Sequence, residues 1–133
     1  PGRLTKEEFR EMQKHAKFGY NALSYSDPRL DSNKFLRLAR EMAFTHHERW
    51  DGSGYPRGLK GDEIPLSGRL MAVADVYDAI TTERVYKTAQ SHEHAVDEIK
   101  KGSGTAFDPE IVTIFLECER DFYRIAQEFK DEE

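Results

Sequence analysis

A bundle of α-helices is the fold class this sequence predicts, and three observations predict it. Apolar residues recur at three- and four-residue spacing along most of the chain, strand-like alternation is almost absent, and helix start and stop residues bracket the periodic segments. The first helix is expected over residues 5–24. Thr5 with Glu8 three residues on has the form of a capping box, and Phe9, Met12, Ala16, Tyr20 and Leu23 make an apolar stripe. The turn-rich stretch SYSDPRLDSN separates it from a second helix, where Phe35, Leu38, Ala39, Met42, Ala43 and His46 recur at helical spacing and a histidine therefore lies on the inner stripe. Residues 49–66 hold Gly52, Gly54, Gly58, Gly61, Pro56 and Pro65, too many breakers for a regular element. They read as a long ordered loop, and loops of that length usually carry function. A third helix follows with Leu70, Val73, Ala74, Tyr77 and Ile80 facing inward. A shorter helix over residues 91–101 is ended by Gly102. The last helix starts at Asp108 as N-cap with Pro109 in the first helical position, and its stripe is Ile111, Phe115, Cys118, Phe122, Ile125 and Phe129. The acidic end Asp131-Glu132-Glu133 reads as a solvated tail.

A chain of 133 residues fits a single domain, residues 1–133, with a core of its own. Opening at Pro1-Gly2 without a methionine, it reads as a piece of a longer protein, truncated on its N-terminal side. The formal net charge of −5 provides no general basic field, which argues against DNA, RNA or an anionic membrane as partner. An anionic ligand would need a local device, such as a metal ion. Cys118 is the one cysteine, so no internal disulfide forms, and a reducing, cytoplasmic location is expected. No apolar run approaches the roughly 20 residues that span a bilayer.

The chemistry-bearing residues gather around the loop. His46 and His47 are adjacent where the second helix meets it. Neighbouring helical side chains point about 100° apart, so the two imidazoles reach one cavity only by addressing different sides of it. Two metal ions about 3.5–4 Å apart would meet that demand. Taken alone, the pair fits equally well a hydrogen-bonded core histidine beside a surface one. Asp75 and Asp78 lie three residues apart at the border of the apolar run MAVADVYDAI. A carboxylate at a core edge needs a cation or several donors, so Asp75 reads as a ligand, while Asp78 reads as a surface or capping acid. His15 gains weight from Gly19, whose missing side chain leaves room over it for a metal or ligand or else permits close helix packing. His92 and His94 read as surface residues. Trp50 and Tyr55 can offer flat faces to a purine base or a wall to the core, and Arg84 and Lys87 suit phosphate oxygens unless they are simply solvated.

The segments HHE, DGSGYP, GLKG, IPL, VADVYDA and RVYK occur in this order and at close spacing, with PGRLTKEE before them and FDPEIV after. Together they resemble the HD-GYP family of bacterial phosphodiesterases. The resemblance implies an all-helical bundle of the HD-domain type, with the glycine- and proline-rich GYP loop between helices. It implies two or three divalent transition-metal ions, commonly iron or manganese, and hydrolysis of cyclic di-GMP to pGpG or GMP in signal transduction. By position, His15, His46, His47 and Asp75 resemble metal ligands, Tyr55 is the tyrosine of the GYP motif, and Arg84 and Lys87 resemble phosphate contacts. The family supplies a Glu, a His and the His-Asp dyad upstream of the segment that begins here with PGRL, so catalytic residues beyond the ligands are not assigned on this chain.

The leading expectation is therefore an enzyme, a metal-dependent phosphodiesterase acting on a cyclic dinucleotide, of which this chain is an incomplete part. The competing expectation is a catalytically inactive HD-GYP-like regulatory module that binds a nucleotide or a GGDEF-type protein. Alone, the 133-residue chain is expected to turn over little substrate and to self-associate as a homodimer through the apolar face that the dyad helix would cover.

Overall fold

The computed structural model describes residues 5–24 and 33–130. Five α-helices follow one another: α1 (Lys6–Ser24), α2 (Lys34–Thr45), α3 (Leu66–Thr81), α4 (His92–Lys101) and α5 (Pro109–Lys130). Among the described residues the only extended pairings are isolated bridges, so the all-helical expectation holds. Most of the linker SYSDPRLDSN and the acidic end lie outside the described residues.

The helix ends follow the sequence signals closely. The Thr5 amide donates to Glu8 Oε2 at 2.7 Å, and the Glu8 amide returns the bond to Thr5 Oγ1 at 3.2 Å. Two of the free amides at the start of α1 are satisfied in this way. Asn33 caps α2 by accepting from the Phe35 amide, and Ser91 caps α4 by accepting from the His94 amide. Asp108 does two tasks: Oδ1 accepts from the Glu110 amide to start α5, and Oδ2 receives Arg69 Nη1 at 2.8 Å. That pair fastens α3 to the start of α5.

The hydrophobic core lies among α3, α4 and α5, where Val73, Tyr77, Ala95, Ile99, Phe107, Ile111, Val112 and Phe115 pack together. Gly102 caps the end of α4 with its amide on the Glu98 carbonyl, and a side chain there would drive into the Phe107 ring, 2.7 Å from an added Cβ. The helix α2 joins this core through α3. Gly68 lies so close to Thr45 that an added Cβ would come within 2.8 Å of its Cβ, and Ser67 Oγ donates to Glu41 Oε1 at 2.6 Å. The helix α1 then packs on α2, with Ala16 buried.

The stripes run further than the burial does. Phe35 is 75% exposed and Leu38, Phe9, Met12 and Tyr20 are also exposed, so the apolar sides of α1 and α2 meet solvent over much of their length. Leu70 does not face inward as expected, and Ile125 and Phe129 stand free on the last turns of α5. Midway, α5 departs from regular helix at Cys118 (φ −115°, ψ 17°), and Phe122 and Ala126 beyond it still pack against the core. His92 corrects the surface assignment. Its Nε2 bonds Glu119, its Nδ1 lies 2.8 Å from the Tyr77 hydroxyl, and it links α4 to both α3 and α5. His94 is exposed as expected.

Two glycines in the helices test this packing. Gly68→Ala forces Thr45 and the α2–α3 contact apart and is expected to lose about 1–3 kcal/mol. Gly19→Ala meets Ala43 at an ordinary 3.4 Å. It is expected to leave stability unchanged or raise it by up to ~1 kcal/mol through helix propensity. Urea denaturation of both variants checks the contrast.

Candidate metal centre

The loop that leaves α2 is held by its own first residues. Glu48 is 3% exposed and has no ion pair among the described residues. Its carboxylate accepts from the Arg57 amide at 2.8 Å and the Leu59 amide at 3.0 Å, closing the loop on itself. Tyr55 N–H donates to the His47 carbonyl at 3.2 Å. That approach requires glycine at position 54, because a Cβ there would lie 2.7 Å from the Glu48 carbonyl carbon. Gly58 adopts φ +65°, a left-handed conformation that favours glycine, between the two amides that Glu48 receives. On the far side, Gly61 N–H donates to Trp50 O and Asp51 N–H to Thr105 O, which ties the loop to the residues before α5. Residues 46–65 thus fold as an ordered loop, as expected from the glycines and prolines.

This scaffold brings His15, His46 and His47 together. One ligand nitrogen from each can be chosen so that all lie within 4.8 Å of one another. The ring centroids of His46 and His47 are 3.9 Å apart, and those of His15 and His47 are 4.5 Å apart. The helix backbone also sets the tautomers. His46 Nδ1 faces the carbonyls of Met42 at 2.9 Å and Ala43 at 3.2 Å, and His15 Nδ1 faces the carbonyl of Met12. A carbonyl only accepts, so each Nδ1 carries the proton and each Nε2 keeps its lone pair free. Fixing one ring nitrogen to a carbonyl is how a metal-binding histidine is oriented. The pKa of His47 is lowered to about 4, first by burial, then by the neighbouring His46 and His15, against an opposing pull from Asp75. Three convergent imidazoles, with Nε2 free on His15 and His46, fit a divalent transition metal.

Asp75 is near the cluster without joining it. With His46, His47, Glu48, Tyr55 and Ala79 it lines a cleft of about 260 Å³ between the loop and α3. Tyr55 stacks on His47, with centroids 5.0 Å apart and planes 16° apart, and burial and Asp75 both raise its pKa. The GYP tyrosine therefore forms the wall beside the histidines. Arg84 and Lys87 close a tight turn just after α3. Lys87 Nζ donates to the Ala79 carbonyl at 3.1 Å, and Arg84 Nη2 lies 3.9 Å from Asp78 Oδ2. Asp78 is exposed, as expected. A Cβ at Gly19 would meet Ala43 at 3.4 Å, an ordinary contact that does not demand glycine there. A larger cleft of about 650 Å³ lies away from the histidines, between the ends of α3 and α5, and is walled mainly by Phe122, Ile125, Ala126 and Phe129. It gathers no set of metal donors among the described residues.

Sequence reading missed Glu48. The signal available was its place directly after two histidines and before a glycine-rich loop, but its partners lie nine and eleven residues on. The His47 environment has a consequence in solution. As pH falls from 6.5 toward about 4, the unfolded chain takes up a proton at His47 that the folded chain refuses. Metal-free protein therefore loses stability across that interval. Urea midpoints measured through it should decline less steeply in His47→Gln, and an equal decline in both proteins would contradict the assignment.

Three comparisons bear on this centre. Residues 1–111 match the family of the HD domain. A cyclic di-GMP phosphodiesterase of Vibrio cholerae is 53% identical over 98% of this chain and 27% of its own length. A cyclic di-GMP phosphodiesterase of Thermotoga maritima is 47% identical over 100% of this chain and 35% of its own length. The chain thus spans about a third or less of these relatives. The crystal structure of a cyclic GMP-AMP specific phosphodiesterase of V. cholerae shares the fold, with a TM-score of 0.59 at 23% identity over 94% of this chain and 29% of that one. The histidine pair, the GYP loop and the all-helical frame have one common explanation: this chain belongs to the HD domain family, in its HD-GYP branch.

Proposed function

We propose that this chain contributes part of the catalytic centre of a phosphodiesterase that hydrolyses cyclic di-GMP to pGpG or GMP. The HD domain is a metal-dependent phosphohydrolase fold, and relatives that match nearly the whole chain are named cyclic di-GMP phosphodiesterases. The observation that carries the reading is the convergence of three imidazoles, two of them turned by backbone carbonyls so that Nε2 is free. The regulatory alternative is not favoured, because the relatives are named as enzymes.

In this reading His15, His46 and His47 hold the metal through nitrogen, and Asp75 adds a carboxylate from α3. Two or three divalent ions, iron or manganese as the family resemblance implies, would supply Lewis acidity and a water acidified toward neutral pH. The rest is done by the chain. Tyr55 walls one side of the histidines and limits solvent there. Arg84 and Lys87 sit beyond the C-terminal end of α3, where their charge can meet the phosphates of an anionic ligand in an otherwise acidic protein. Upstream residues of a longer polypeptide complete the ligand set, and the domain works in the cytoplasm. Among the described residues no helix is long and apolar enough to cross a membrane. A homodimer or a GGDEF-type partner would use the exposed sides of α1 and α2.

Purified full natural polypeptide, loaded with manganese or iron, is expected to convert cyclic di-GMP to linear product. His47→Ala and Asp75→Ala are expected to weaken metal binding by at least the ~10–100-fold seen when metal-orienting groups are removed. Turnover should fall with it. Elemental analysis and product chromatography check both. Unchanged metal content in the two variants would remove the ligand assignment, and full turnover without metal would remove the mechanism.

A further inference from the structure

A cyclic dinucleotide presents two purine faces as well as two phosphates, and the rings around the histidine cleft are already engaged. Tyr55 spends one face on His47 and meets the edges of Phe9 and His15. Phe107 is buried in the core, and Phe44 lies under the Arg57 guanidinium. The turn after α3 is different. Arg84 and Lys87 exchange both backbone hydrogen bonds, at 2.8 and 2.9 Å, leaving Val85 and Tyr86 at its tip. Val85 is fully exposed and Tyr86 is 76% exposed. Neither residue type gives the turn the conformational advantage of Gly, Pro, Asn or Asp.

The tip is tied to the cleft through Lys87. Lys87 reaches back to the carbonyl of Ala79, whose residue lines the cleft with Asp75 and the histidines. Arg84 Nη2 lies 3.9 Å from Asp78 Oδ2 on the last turns of α3. A largely exposed aromatic residue therefore stands between two cations at the margin of the proposed phosphate site. We propose that Tyr86 is a base-recognition residue, stacking on one purine of the cyclic dinucleotide while Arg84 and Lys87 meet its phosphates. This inference rests on the phosphodiesterase reading and adds a specificity determinant to it.

The test is stopped-flow anisotropy of fluorescently labelled cyclic di-GMP binding to the metal-loaded full natural polypeptide, with hydrolysis by wild type measured separately. Tyr86→Ala and Tyr86→Leu are expected to weaken binding about tenfold, or ~1.4 kcal/mol. Tyr86→Phe, which keeps the ring and loses the hydroxyl, is expected to stay within about twofold of wild type. Wild-type affinity in Tyr86→Leu would overturn stacking. A Tyr86→Phe defect as large as that of Tyr86→Ala would overturn it too, since the hydroxyl and not the ring would then carry the effect. If Val85→Ala weakens binding as much as Tyr86→Ala, the turn acts as a shape and the base-specific role is overturned. Wild type that binds without hydrolysing sinks the phosphodiesterase reading while leaving the Tyr86 ranking decisive, and wild type that does not bind overturns both.

Discussion

A buried carboxylate with no cation beside it organises this protein. Glu48 would be expensive inside the loop, because an unpaired ion gives up its hydration. It is stabilised by two backbone amides, each a charge-assisted hydrogen bond worth ~1.5–3 kcal/mol. The consequences spread in both directions. Toward the N-terminus, the next two side chains are His47 and His46, at the end of α2. Toward the C-terminus, the closed loop returns Tyr55 to the His47 carbonyl and places its ring against the His47 imidazole. One carboxylate thus sets the position of the loop relative to the histidines, although it contributes no donor to their cluster.

The energetics divide the chain into a dense part and an open part. Apolar packing is concentrated in α3, α4 and α5, reinforced by Arg69–Asp108 and by the Tyr77–His92–Glu119 hydrogen bonds. The helices α1 and α2 carry amphipathic stripes of similar pattern, but Phe9, Phe35 and Leu38 remain exposed. The candidate centre lies on the boundary. His15 comes from α1, His46 and His47 from the end of α2, and Asp75 from α3, so the histidine cluster depends on the less densely packed half holding its place against the core.

Local chemistry was legible in the sequence, and long-range compensation was not. The Thr5–Glu8 box and the Asp108-Pro109 start could be read because a cap and its partner lie within three residues. The loop was legible from its glycines and prolines, whereas the adjacent histidines were ambiguous taken alone and gained their ligand role from the family resemblance. Glu48 was not, since a carboxylate looks the same whether it faces water or two distant amides. His92 was misread because its partners, Tyr77 and Glu119, belong to other helices. Stripe length was overestimated on α2 and α5, where periodicity reports which residues share a face and says nothing of whether another element covers it.

The central claim is that His15, His46 and His47 form one metal-binding face. It is tested most directly by anomalous diffraction from crystals of this chain grown with manganese and recorded on either side of the metal absorption edge. The account predicts an anomalous peak bonded to Nε2 of His46 and His15 and to a nitrogen of His47, on the side of the cluster that faces Asp75. A peak held elsewhere, with the three imidazoles hydrogen-bonded only to protein, would contradict it.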